Sequence, residues 1–70
     1  MMLKKRSFSL SGHRTSVALE PEFWAVLEAE AAKTHLSFAA FITRIDRARG
    51  ERPLASALRL HALAAAKNHP

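Results

Sequence analysis

The chain has 70 residues, room for one small domain. Lys and Arg number 11 against 6 Asp and Glu, a net charge of +5 with the histidines neutral. An apolar fraction of 49% exceeds that of a disordered tail, the absence of cysteine excludes a disulfide framework or thiolate metal site, and no run nears the ~20 apolar residues that cross a bilayer.

The start Met-Met-Leu-Lys-Lys-Arg has no apolar stretch of the secretory type, so a cytoplasmic chain with no membrane partner is expected. Chains this short rarely hold a core without a disulfide, a metal or a second copy. With the first two lacking, a symmetric homodimer is the expectation.

In chain order, Lys4, Lys5 and Arg6 open a basic segment that continues as Ser7-Phe8-Ser9-Leu10-Ser11, with Phe8 and Leu10 on one face. From His13 to Leu19 the alternation resumes. Thr15, Val17 and Leu19 form the more apolar face and Arg14, Ser16 and Ala18 the other. The apolar positions have switched from even to odd, which one uninterrupted strand cannot hold on a single face. Gly12 reads as a bulge or bend between the two patterns. Residues 1–12 are therefore expected as a basic arm and 13–19 as the strand.

Pro21 suits a first helical position, with Glu20 and Glu22 at the positive helix end. Phe23, Trp24, Leu27 and Ala31 recur at helical spacing, ending near Lys33 or Thr34. Thr34-His35-Leu36-Ser37 forms the turn, with Ser37 as N-cap. A second helix carries the stripe Phe38, Phe41, Ile42, Ile45, and Gly50 ends it. A third helix follows, with Pro53 suited to its first position and Leu54, Leu58 and His61 or Ala62 on its stripe; residues 67–70 are expected to fray.

A lone strand leaves its backbone donors and acceptors unpaired. Pairing with the same strand of a second copy solves this. The expected architecture is mainly α with one short strand, an intertwined homodimer joined by an intermolecular two-stranded antiparallel ribbon. Residues 13–50 form its core, and 51–70 a third C-terminal helix and tail.

Strand, helix, four-residue turn and helix in a small basic chain resemble the ribbon-helix-helix family of DNA-binding proteins, the MetJ/Arc type. The carrying residues are His13 to Leu19, the helix opened by Pro21, and Leu36-Ser37. The stretch Lys5 to Ser16, with Phe23-Trp24, Ile45-Asp46, Arg49-Gly50 and Ser56-Ala57-Leu58-Arg59, is similar to a bacterial subfamily of short proteins within it. The resemblance implies a homodimer that inserts its ribbon into the major groove of double-stranded DNA as a transcriptional regulator. It implies base reading by Arg14, Ser16 and Ala18, and a phosphate clamp at the amides near Ser37 and Phe38.

Arg14 can bond guanine in bidentate fashion, Ser16 can donate or accept, and Ala18 offers only apolar contact. Lys4, Lys5 and Arg6 add salt-sensitive attraction to phosphate. Val17, Leu19, Trp24, Leu27, Phe41, Ile42 and Ile45 are expected in the core and dimer contact, although Trp24 also invites comparison with a base-stacking platform. His13, His35, His61 and His69 lack ligand spacing, so neither metal nor cofactor is expected. No nucleophile constellation or phosphate loop points to an enzyme. The alternative is an adaptor or antitoxin-like protein, whose partner would sit on the C-terminal helix.

Overall fold

In a computed structural model that describes residues 2–67, Ser11 and Gly12 take φ of +51° and +81°. Two successive positive φ values define a two-residue type I′ turn, whose twist matches the strands on either side. The strands are β1, Lys4–Leu10, and β2, His13–Leu19, paired antiparallel from Leu10 opposite His13 to Lys4 opposite Leu19.

Residues 4–10, expected as an arm, are thus a second strand, and the two-stranded ribbon closes within one chain. The switch in parity marks the hairpin register. Across a two-residue turn an even position always faces an odd one, so Phe8 and Leu10 lie on the same face as Val17 and Leu19. All four are buried. The pairing expected from a second copy is supplied along one edge of β2 by β1.

Three helices follow: α1, Pro21–Thr34; α2, Phe38–Ala48; and α3, Leu54–Lys67. The carbonyl of Glu20 accepts from the amides of Phe23 and Trp24 as α1 begins. His35 closes α1 in the left-handed region. Ser37 caps α2, its Oγ accepting from the amide of Ala40 at 3.1 Å. Past α2, Gly50 takes φ +62°, the conformation a glycine after a helix end supplies without strain.

Arg49 holds the connection to α3. Its Nε meets Asp46 Oδ1 at 2.7 Å and its Nη1 donates to the carbonyl of Arg52 at 2.8 Å. Pro53, expected as the first helical residue, sits one place earlier, and its carbonyl accepts from the amide of Ala57. The expected fraying at 67–70 lies largely outside the described residues.

The helices cover one face of the hairpin. Trp24, Leu27 and Ala31 from α1, Phe41, Ile42 and Ile45 from α2, and Ala57, Leu58 and Ala62 from α3 complete the core begun by the strands. Leu19, Leu27, Ile42 and Leu58 are fully buried. Each such side chain contributes about 1.5–3 kcal/mol by leaving water. Phe8, Trp24 and Phe38 meet pairwise with ring centroids 5.8–6.1 Å apart, joining β1, α1 and α2. Among the described residues no helix is long and apolar enough to cross a membrane.

Candidate nucleic-acid interface

With β1 and β2 in this register, the face turned away from the helices carries Lys5 opposite Ala18, Ser7 opposite Ser16, and Ser9 opposite Arg14. In a hairpin closed by a two-residue turn, Leu10 and His13 exchange backbone hydrogen bonds. The three outer pairs therefore fall at the positions without such bonds, where side chains stand closest. The hydroxyls of Ser7 and Ser16 lie 2.8 Å apart. One donates to the other, so the pair keeps one hydroxyl hydrogen and spare lone pairs facing outward. Lys5, Ser7, Ser9, Arg14 and Ser16 are exposed and Ala18 half-buried.

Of the six side chains, the strand alternation pointed to Arg14, Ser16 and Ala18 as a set. Alternation within β2 does not reach Lys5, Ser7 and Ser9, and of these only Lys5 stands out in the sequence, by its charge. The signal that finds them is the parity switch centred on the Ser-Gly dipeptide, read as a two-residue turn instead of a bend. Ala18 lacks a polar group of its own, but Lys5 stands directly across from it.

Lys4 and Arg6 leave the cluster that the sequence suggested, because alternation turns them to the side opposite Lys5. Lys4 is exposed, and its carbonyl accepts from Trp24 Nε1 at 2.8 Å, which ties the start of β1 to α1. Trp24 itself is 4% exposed and belongs to the core, which leaves no face for base stacking. The Arg6 guanidinium lies 4.5 Å from the ring centre of Phe38 and 5.2 Å from that of Trp24, with Glu28 at 3.5 Å.

Phe38 opens α2. Ser37 takes the amides of Ala40 and Phe41 through its Oγ and its carbonyl, and the amides of Phe38 and Ala39 stand outside those bonds. A guanidinium and a helix start are thus neighbours at the rim of the hairpin.

Charge is segregated along the chain. Residues 4–19 contain Lys4, Lys5, Arg6 and Arg14 and no acidic residue, while Glu20, Glu22, Glu28 and Glu30 fall at the start of α1 or within it. Glu20 is occupied elsewhere, its Oε1 receiving Arg59 Nε of α3 at 3.2 Å. Its carboxyl is held below the ordinary carboxylate value chiefly by hydrogen bonding from its own backbone amide; burial opposes this, and the hydrogen bond and charge of Arg59 add to the lowering. Acid is therefore kept away from the outer hairpin face.

A family profile described as a ribbon-helix-helix domain matches residues 3–66, nearly the whole chain. The chain belongs to the ribbon-helix-helix family. No curated protein and no solved structure matches it. Ribbon-helix-helix proteins are generally DNA-binding transcription regulators or antitoxins. The match spans the hairpin and all three helices, so β1 and α3 belong to the ribbon-helix-helix domain along with the segment between them.

Proposed function

We propose that this ribbon-helix-helix protein is a homodimeric transcriptional regulator of the bacterial cytoplasm that lays the β1–β2 hairpin in the major groove of duplex DNA. The observation that carries this reading is the outer hairpin face. It is polar, free of acid and basic at both ends, and each of its three cross-strand pairs includes a group able to hydrogen-bond. Neighbouring strands are about 4.8 Å apart, so a two-stranded ribbon suits a groove about 12 Å wide.

Arg14, at one corner of the face, is the group suited to guanine O6 and N7, and Lys5, at the diagonal corner, brings a compact charge suited to phosphate. The Ser7–Ser16 hydroxyl pair sits between them and discriminates less sharply. Ala18 offers its methyl to a thymine methyl. Phosphate falls to Lys4, to Arg6, and to the amides of Phe38 and Ala39 beside Ser37, where unpaired donors and the helix dipole favour an anion.

Two copies across a two-fold axis would read an operator of repeated or inverted short half-sites. Family membership and the small size of the core support the dimer.

The test is binding of the intact protein to fluorescent duplexes over a salt series, one duplex selected from a genomic DNA pool and one of scrambled sequence. Affinity is expected to fall steeply with salt on both, with the selected duplex bound more tightly throughout. Failure to bind either duplex at the lowest salt would exclude DNA as the partner.

A further inference from the structure

The clefts between helices offer a second surface, unrelated to the hairpin. Between the C-terminal half of α2 and the first turns of α3 runs an open groove of about 520 Å³. Its apolar lining includes Ile45, Ala57 and Leu60, its charged lining is Arg44, Arg49 and Arg52, and no acidic residue lines it. Arg49 is committed to Asp46 and the Arg52 carbonyl, so it shapes the wall. The guanidinium groups of Arg44 and Arg52 have no ion-pair partner among the described residues, and both residues are exposed.

The apolar lining does not stop at the groove. Leu60 is 45% and Leu63 48% exposed, two of the four exposed large apolar residues among those described, and they stand three positions apart on α3. That spacing makes Leu63 a neighbour of Leu60 on the helix surface, about 4.5 Å further along and just outside the groove lining. An apolar strip longer than the groove, flanked by unpaired cations, has the anatomy of a site for an amphipathic helix.

We propose that this groove docks an acidic amphipathic helix of a partner protein, its apolar side on Ile45, Ala57, Leu60 and Leu63 and its carboxylates on Arg44 and Arg52. Charge selects this occupant. A two-fold contact through this groove would bring Arg44 and Arg52 of both copies into one interface with no acidic residue lining it, on a chain already carrying +5. Phosphate would satisfy the arginines but leave the leucines in water.

The test uses the isotopically labelled intact protein and three designed helical peptides of about 15 residues, roughly 22 Å long. One pairs Leu with Glu, one Leu with Lys, and one Ala with Glu. The Leu/Glu peptide is expected to shift the amides of Ile45, Ala57, Leu60 and Leu63 and to bind at least tenfold more tightly than the other two. Arg44→Glu with Arg52→Glu should reverse the preference between the Leu/Glu and Leu/Lys peptides. Leu60→Ser, at an exposed position, should weaken the Leu/Glu peptide at least tenfold while leaving affinity for duplex DNA unchanged, which separates this surface from the hairpin.

Equal binding of the Leu/Glu and Leu/Lys peptides would overturn the proposal, as would equal binding of the Leu/Glu and Ala/Glu peptides. So would conversion of a dimer to a monomer by Leu60→Ser in sedimentation, which would assign the groove to a second copy. Duplex DNA shifting the same four amides would overturn it too, by making the groove part of the nucleic-acid surface.

Discussion

Arg14 and Lys5 face the same way from adjacent strands, yet they differ in what they can distinguish. Arg14 presents a planar fork that matches guanine, whereas Lys5 carries a compact charge as well suited to phosphate as to a base. Replacing Arg14 by Ala should therefore cost about 1–3 kcal/mol on a preferred duplex and much less on a scrambled one. Replacing Lys5 by Ala should weaken both to a similar degree and lower the salt slope by about one. Anisotropy titrations on the two duplexes separate these outcomes, and equal losses for Arg14→Ala would remove it as a base reader. Glu20 makes a prediction about stability. Its carboxyl is held below the ordinary value of 4.5, so its contribution is present above that value and is lost as pH falls through the folded-state value. Urea midpoints should decline as pH drops below 4.5, and Glu20→Gln should make that decline shallower. An identical acid profile in the variant would show that Arg59 and the backbone amide do not act on it.

Among the elements, the hairpin depends most on a single local choice. Gly12 has no heavy atom near enough to obstruct a Cβ, so any cost of Gly12→Ala comes from its φ of +81° alone. About 1–2 kcal/mol is expected. Ser11→Asn should raise the melting temperature, because Asn-Gly favours the turn that Ser-Gly already makes. A melting temperature unmoved by both changes would mean the turn is not set by these residues. Leu58→Ala tests α3 in the same way, since Leu58 is fully buried and its truncation should cost about 2–5 kcal/mol in urea unfolding. A loss under 1 kcal/mol would mean that α3 folds separately. The helices were legible in the sequence because their apolar spacing, the Ser37 cap, Pro21 and Gly50 agree with one another. β1 is less legible as a strand. Alternation that changes parity looks like an interrupted strand until a two-residue turn is placed at its centre, after which the same change becomes the register. The outer face was legible to the same extent. Arg14, Ser16 and Ala18 follow from one strand's alternation, but Lys5, Ser7 and Ser9 join them only once the partner strand is known. Arg6 shows the reverse case. Its neighbours in sequence suggest a basic cluster, while the pleat turns it toward Phe38 and Trp24.

At the scale of the whole molecule, the hairpin carries Lys4, Lys5, Arg6 and Arg14 without an acidic residue, while the other seven cations and all six acidic residues follow it in the chain. The core lies between the hairpin and the helices. On the proposed reading, an acid-free hairpin on a chain of net charge +5 favours approach to a polyanion and makes that association sensitive to salt. The central claim is that the hairpin's outer face meets the duplex, and amide chemical shifts followed during titration with a mixed-sequence duplex test it most directly. Lys5, Ser7, Ser9, Arg14, Ser16 and Ala18 are expected to move first and to return toward their free positions as salt is added. Shifts confined to the helices, with those six amides unmoved at saturating DNA, would contradict it.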